Sequence, residues 1–553
     1  MKRAILMTYL LTLWLTSFYA LATLTPSDQP NRLLEQKLIT LGSTPYLMGN
    51  KLTHVPFLLE LYRQHQFQLI WSQWDNPTQI IPTLYYAEQN GLNPDDYYLE
   101  TLEQQLDGLR TLEQLGISNQ IDLDILMSAA VIKLALQLRQ GKLNPLDFEP
   151  HWPPTPAPDI AAFSAQLLSH ISTKALVELF LQQEPNHELY RALKMALGHY
   201  QALAQQSSFE PIILNVKSLK PSMPSPSIPL IEQRLRELNH LAPNQQHLIN
   251  VSANVTPPYY GNELIKPIQA FQRQHGLEPD GIIGPATLAA LNIDYATRVK
   301  LIKINLERMR WLSSHLQQDE YILVNLAGYQ LGLYREHSAV WKTKVIVGKK
   351  RHATPAFSAT LAYLEFNPTW SVPRSIVREM WPKIAQDPSY LSQQNFHVLD
   401  KQGQRVALAD SEWTNYNGRN FPFFLQQQPG PQNALGQVKF IFPNQYSIFL
   451  HDTPDKHLFS RSQRNFSHGC VRVETPLKLA ELLLKPMPQW SPQRIEQVVN
   501  SQQRTRVHMQ RPIDVFLLYW TVTAATSSIH NELTDVSFHQ DAYQKDALLL
   551  PYF

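Results

Sequence analysis

The sequence predicts a multidomain α+β protein: a helical scaffold domain, then a small three-helix domain, then a β-rich domain carrying a long insertion. Three observations carry that expectation. Apolar residues recur at three- and four-residue spacing from about residue 31 to 218, whereas from Tyr321 onward they alternate. Proline clusters at Pro150–Pro158 and Pro221–Pro229 interrupt the helical half, and the second reads as a domain boundary. A chain of 553 residues with 44% hydrophobic composition is long enough for three or four cores, at roughly 150 residues per domain.

In chain order, Met1-Lys2-Arg3, the apolar run Ala4–Phe18 and Ala20-Leu21-Ala22 read as a secretory leader over residues 1–22. The run falls short of the roughly 20 residues that span a bilayer, and no Cys follows it to accept a lipid. Within 31–218 the clearest helix is Asp122–Gln140, with Asp122 as cap, Gly141 as terminator and Pro145 beyond. Its apolar residues cover most of the circumference, which predicts burial on all sides. The next domain, 230–293, reads as helices over Ile231–Leu241 and Pro267–His275, then the turn Asp280-Gly281-Ile282-Ile283-Gly284-Pro285, which launches a third helix through Leu291. A helix over Asp294–Trp311 leads into the β-rich domain at 319–500. Strands are expected at Tyr321–Asn325, Gln330–Tyr334, Trp341–Val347, Ala359–Phe366, Val438–Phe442 and Tyr446–His451. The stretch 374–430 is too long for an ordinary connection and reads as an inserted lid. Its Trp381, Trp413 and Tyr416, with Trp370 just before it, are expected to pack among themselves rather than line a groove. Residues 501–553 supply a last strand at Ile513–Val522 and a tail.

Charge narrows the classes of partner. Of 48 basic residues, Lys2 and Arg3 would leave with the leader, which balances the remainder against 46 acidic residues. Such a chain has no electrostatic footprint for nucleic acid. Cys470 is the only cysteine, so it has no disulfide partner in the chain, and an exported protein that keeps one thiol needs a chemical reason for it.

That reason lies in Ser467-His468-Gly469-Cys470-Val471-Arg472-Val473, preceded by Phe449-Leu450-His451-Asp452-Thr453-Pro454. A thiol attacks only as thiolate, and a neighbouring imidazole can take its proton. His451 ends an expected strand 19 residues before Cys470, while His468 sits two before it. Gly469 frees the backbone for a tight turn whose amides, at Gly469 and Cys470, can serve as oxyanion donors. A metal reading of His451, His457, His468 and Cys470 is also open, although no His-x-His or Cys-x-x-Cys pair occurs. No Ser-x-x-Lys occurs either, so the corresponding serine acyl-transfer machinery is absent.

Two resemblances extend this reading. The segment Ile268-Gln269-Ala270-Phe271-Gln272 through Gly276-Leu277 to Asp280-Gly281 and Gly284-Pro285 resembles the peptidoglycan-binding type 1 domain, which implies affinity for cell-wall material. His451, a 15-residue spacer and Ser467-His468-Gly469-Cys470 resemble the L,D-transpeptidase (YkuD-type) family, as do Asn367–Pro373 and Pro429–Gly436. Its larger members have the same domain order, with a lid in the catalytic domain. The resemblance implies Cys470 as nucleophile, His451 as base and the adjacent backbone carbonyl as its orienting partner. It also implies a pocket shaped by Ser467, His468, Gly469 and Arg472, with Asp452 beside them, and neither cofactor nor metal. The family often carries Asn where this chain has Arg472. The implied reaction is 3→3 cross-linking of stem peptides through a cysteinyl thioester with loss of D-alanine, in the periplasm. The implied partners are stem peptides, the sacculus and other cell-wall synthesis proteins. The same thiol could instead serve a carboxypeptidase or endopeptidase, or the chain could be a non-catalytic wall-binding scaffold.

Overall fold

The computed structural model describes residues 28–206, 208–241, 258–313, 315–316, 318–527 and 533–553; the expected leader lies outside them. Two compact units emerge, one comprising Met1–Leu143, Thr155–Pro185 and Met309–His315, the other Asn144–Pro154, Asn186–Arg308 and Leu316–Phe553. Among the described residues no helix is long and apolar enough to cross a membrane.

The first unit is helical and built around Ile117–Gln140, whose residues from Leu123 to Ile132 are all buried. This helix starts one turn earlier than the sequence suggests. Gly116 precedes it, while Asp122 lies inside it and pairs with Lys37 instead of capping. Gly141, at φ +91°, ends it as expected of a residue free to leave the right-handed region. Inside this core Asp124 accepts hydrogen bonds from Tyr62 Oη at 2.6 Å and from the backbone N–H groups of Ile70 and Trp71.

The second unit holds the rest, including the helix Glu188–Gln206 that the sequence assigns to the scaffold span; there Tyr200 meets Phe538 edge to face. Helices Ile228–Glu237, Ile265–Gln274 and Pro285–Leu291 belong to the small domain. Gln272 organises its turn: Oε1 accepts from Gly281 N–H, while Nε2 donates to Asp280 and to the Ile282 carbonyl.

The β-rich part is an eleven-stranded sheet. Its strands are β1 Glu320–Asn325, β2 Gln330–Arg335, β3 Ser338–Gly348, β4 Phe357–Thr360, β5 Tyr363–Phe366, β6 Val438–Ile441, β7 Leu450–His451, β8 Asn465–Ser467, β9 Val471–Val473, β10 Thr505–His508 and β11 Asp514–Leu518. The order is β10-β5-β6-β7-β9-β3-β2-β1-β11-β4, with β8 paired to β3 off this path. The run Ala359–Phe366, expected as one strand, breaks at Leu361-Ala362. Its halves β4 and β5 lie near opposite ends of the strand order, so the sheet must curl back on itself. Its apolar face carries Val345, Val347, Leu364, Phe440, Leu450, Val471 and Val515 into one core.

Two other local features follow from turn chemistry. The β2–β3 hairpin turns through Glu336 and His337, both at positive φ, matching the right-handed twist of its strands. Tyr446–Phe449 is not a strand as expected. Asn444 Oδ1 accepts from the N–H groups of Tyr446 and Ile448, and Ser447 sits at φ +55°, so only Leu450–His451 remains extended.

The insertion is a small subdomain with its own centre. A helix at Arg374–Gln386 packs beside a three-stranded sheet of Trp370–Ser371, Phe424–Gln427 and Phe396–Leu399. Trp381, Trp413 and Phe421 stack in its core with Val377 and Ile384.

Candidate active site

Strand parity places the chemistry. Leu450 of β7 and Val471 and Val473 of β9 face the sheet core, so His451, Arg472 and Cys470 project from the opposite face. Strands β7 and β9 run parallel with His451 opposite Arg472, which sets Cys470 one diagonal step from His451. Both ends of the loop between β8 and β9 are anchored on β3. Ser467 pairs with Gly348, and Arg472 with Ile346.

The loop is tightened by Ser467, whose buried hydroxyl donates to the Cys470 carbonyl at 2.6 Å and accepts from Gly469 N–H at 3.1 Å. Gly469 adopts φ +120°, where an L side chain is strained even though a Cβ there would meet nothing closer than 3.9 Å. The Gly469 amide, one of the two oxyanion donors expected from the sequence, is thus taken up by the Ser467 hydroxyl.

A second wall, Gly348–Thr354, was not singled out in the sequence. Thr354 Oγ1 donates to the Gly469 carbonyl at 2.7 Å and accepts from Gly348 N–H at 3.0 Å. Tyr543 Oη donates to the Gly348 carbonyl at 2.6 Å. A Cβ on Gly348 would lie 2.0 Å from the His352 carbonyl oxygen, so only glycine fits there. The glycine that ends β3 and the Thr354-Pro355 pair were the available signals; Tyr543, almost 200 residues away, gave none.

His451 is buried, and its Nδ1 bonds to the Asp452 carbonyl. That bond requires Nδ1–H and leaves Nε2 with a lone pair. Burial, with Arg472 and then Lys439 close by, holds the imidazolium down to about 3. Lys439 stands opposite His451 on β6, and Glu365 stands opposite Lys439 on β5. The result is a cross-strand row, Glu365–Lys439–His451–Arg472. Burial would raise the Glu365 carboxyl, but bonds from Arg504, Arg506 and Lys439 prevail and hold it at about 2. The row thus surrounds a neutral imidazole with fixed charge.

The Cys470 thiol is pushed up to about 11 by burial, against a lowering from the Phe449 backbone and Arg472. Its hydrogen bond reaches the Ser447 carbonyl at 3.6 Å, a weak contact. Thiol and imidazole are therefore both neutral at pH 7, and the thiolate forms only when a base withdraws its proton.

The remaining residues have structural partners. The Asp452 carboxylate accepts from the N–H groups of Gln437 and Thr453 and from Lys456; as an acceptor it braces the Gly436 turn and cannot stabilise an oxyanion. Arg472 donates to Asp455 at 3.0 Å, while its buried Nε is unpartnered among the described residues. His468 points to the insertion. Its Nε2 lies 2.8 Å from Glu379 Oε2 on the helix Arg374–Gln386 and 3.1 Å from Lys349 Nζ. Among the described residues the potential metal donors that converge are His352, Glu379 and His468, not the set weighed from the sequence. Lys349 and Arg351, within 3.8 Å of Glu379, already supply positive charge there.

Comparison with known proteins bears on this geometry. The family model of the "L,D-transpeptidase catalytic domain" (YkuD) matches residues 319–508, the sheet and its insertion. Over those residues the chain is similar to the YkuD L,D-transpeptidase family. Family models of a "Scaffold domain" and a "Putative peptidoglycan binding domain" match residues 56–197 and 225–291. A curated relative from Haemophilus influenzae, "Putative L,D-transpeptidase", is 36% identical over 211 residues, which are 38% of this chain and 42% of the relative, so the match spans less than half of it. A solved L,D-transpeptidase (Yku) from Stackebrandtia nassauensis is 12% identical, covering 56% of this chain and 97% of its own at a TM-score of 0.19. The "Ldtfm-avibactam carbamoyl enzyme" is 13% identical, covering 36% and 49% at 0.18. Likenesses that slight place no constraint on the sheet described above.

Proposed function

We propose that the chain is an L,D-transpeptidase of the cell wall, acting outside the cytoplasm on peptidoglycan stem peptides, with Cys470 as nucleophile and His451 as general base. The observation that carries this reading is the parallel register of β7 and β9, which brings the one thiol and a neutral, Nδ1-anchored imidazole to the same face. His451 Nε2 takes the thiol proton as sulfur attacks the carbonyl joining the third stem residue to the terminal D-alanine. The Cys470 N–H receives the developing oxyanion. D-Alanine departs with the proton from His451, leaving a thioester. An amine of a second stem's diamino acid then attacks, its proton passes to His451, and a 3→3 cross-link forms with the thiol regenerated. Water as acceptor gives the tripeptide instead, the carboxypeptidase outcome. The insertion, tied to the catalytic loop through Glu379 and His468, favours the amine by covering the thioester from solvent.

The test is intact-mass spectrometry of the chain incubated with disaccharide-tetrapeptide, with chromatography of the products. An acyl adduct on Cys470 with dimer is expected. Adduct with tripeptide alone assigns hydrolysis, and sacculus binding without adduct assigns a non-catalytic scaffold.

A further inference from the structure

Within the second unit β1, β2 and β3, the start of the helix Glu188–Gln206, Trp520 and the two-stranded sheet of Val522–Thr526 and Leu533–Phe538 enclose a cavity of about 440 Å³. None of the residues placed at the catalytic site lines it, and its Trp520, Asp535 and Ser537 lie beyond the catalytic-domain match of 319–508. We propose that this cavity binds a small organic cation, with the ammonium group at Asp535 and an oxygen acceptor of the same molecule at the indole N–H of Trp520.

Polar atoms that the fold leaves unused point to such a ligand. Trp520 is 3% exposed and Tyr334 9%, and rings of these types so deeply buried ordinarily find a partner for the indole N–H or the phenol. Here neither Trp520 Nε1 nor Tyr334 Oη has a hydrogen-bond partner among the described residues, and both side chains line the cavity. Asn325 adds a third donor. Its Oδ1 accepts from the N–H groups of Ala327 and Trp520, which fixes the amide, while its Nδ2 donates to nothing among the described residues. Two lining glycines make the room: a Cβ on Gly332 would lie 2.6 Å from the Tyr334 ring, and one on Gly328 would lie 2.7 Å from Asn325 Nδ2.

Charge selects a cation. Asp535 and Ser537 share one face of their strand, and the Ser537 hydroxyl donates to Asp535 at 3.0 Å. No basic side chain pairs with that carboxylate among the described residues, and burial lifts it above the usual carboxylate value. The other lining carboxylate, Glu188, stands 3.9 Å from Lys342, the one ammonium in the wall. His539, also in the wall, is held neutral by burial, which brings it down to about 4. Two carboxylates against one ammonium leave the lining with one negative charge in excess, which a bound cation would balance. The volume falls within the roughly 300–1,000 Å³ of small-ligand sites, and the rings of Trp520 and Tyr334 offer faces to an aliphatic body or to the cation itself.

The test titrates the full chain calorimetrically with leucinamide at about pH 6.5, where its amine is protonated and its carbonyl is the acceptor. Two analogues each drop one group: 4-methylpentanamide lacks the ammonium, and 3-methylbutylamine lacks the carbonyl. Saturable one-to-one binding of leucinamide is expected, on the order of a millimolar, with each analogue about tenfold weaker. Asp535→Asn should weaken leucinamide about tenfold, and Trp520→Phe, which keeps a ring but removes the N–H, should bring it to the level of 3-methylbutylamine. Ala525→Trp fills the cavity from an exposed position, and it should abolish binding with an unchanged melting temperature even if Trp520→Phe fails to fold. Acylation of Cys470 by disaccharide-tetrapeptide, read by mass, should proceed as usual in Asp535→Asn, which separates this cavity from the thiol. Absence of leucinamide binding, equal affinity for leucinamide and 4-methylpentanamide, or binding unmoved by both Asp535→Asn and Ala525→Trp would overturn the cation site.

Discussion

Asp124 in the helical unit and Cys470 in the sheet are both ionisable groups shifted by burial, yet they differ in what the fold does with their valences. The Asp124 carboxyl is raised to about 6, a shift of the kind that marks catalytic acids. Its oxygens are engaged by Tyr62 Oη and two backbone N–H groups, and Ser128 completes the network by accepting from Trp71 Nε1 at 2.9 Å. The Cys470 sulfur has a long contact to the Ser447 carbonyl and a bond from the Phe449 backbone, and on its face of the sheet stands an imidazole whose second nitrogen is unspent. A shifted group with its bonds completed holds structure; one left incomplete beside a proton acceptor is available for reaction.

The sharpest way to break this comparison is to delete each group. Cys470→Ala should lower dimer formation by at least about 10⁴-fold, because no other residue can form the thioester, while leaving the melting curve in place. His451→Ala should cost about 10³-fold in transfer. The iodoacetamide reactivity of Cys470 in the unaltered chain should rise with pH up to about 11, as expected of a thiol that is not pre-ionised. Saturation of that rate near pH 6 would mean a standing thiolate–imidazolium pair.

Asp124→Ala should do the reverse. It leaves buried donors unmatched and should destabilise by about 3 kcal/mol, with activity per folded molecule retained. Its pH dependence is specific. A carboxyl raised in the folded state contributes most below its unfolded value near 4 and loses that contribution as pH rises through about 6. The deficit of Asp124→Ala, read by thermal melting, should therefore be larger at pH 4 than at pH 7. Next in size, Thr354→Val removes the bond to the Gly469 carbonyl and should lower transfer about tenfold through loosening of the loop, with iodoacetamide still reaching the thiol.

The sequence made the sheet's local strands legible because alternation survives in a half-buried ladder, and the nucleophile legible because one cysteine stood in a dense motif. It did not reveal the curl. That rests on a two-residue break at Leu361-Ala362, where nothing in the residues shows that β4 and β5 pair at different ends. Thr354 and Tyr543 escaped notice because their roles depend on contacts 115 and 195 residues away. The fate of the Gly469 amide depended on a hydroxyl rotamer at Ser467, which no pattern encodes.

The smallest expected effect tests the insertion. Glu379 is largely solvated, and its carboxyl is lowered chiefly by the bond from His468. Exposed pairs of this kind contribute little to folding, so Glu379→Gln should leave the melting temperature unchanged. What it should alter is partition. If the pair holds the helix Arg374–Gln386 over the catalytic loop, weakening it admits water to the thioester, and the ratio of dimer to tripeptide should fall about threefold while acylation of Cys470 proceeds at its usual rate. High salt should move the unaltered chain in the same direction, because it screens Glu379 from Lys349 and Arg351. An unchanged ratio in both experiments would mean that the contact decorates the loop without closing it, and that water exclusion must come from the substrate itself.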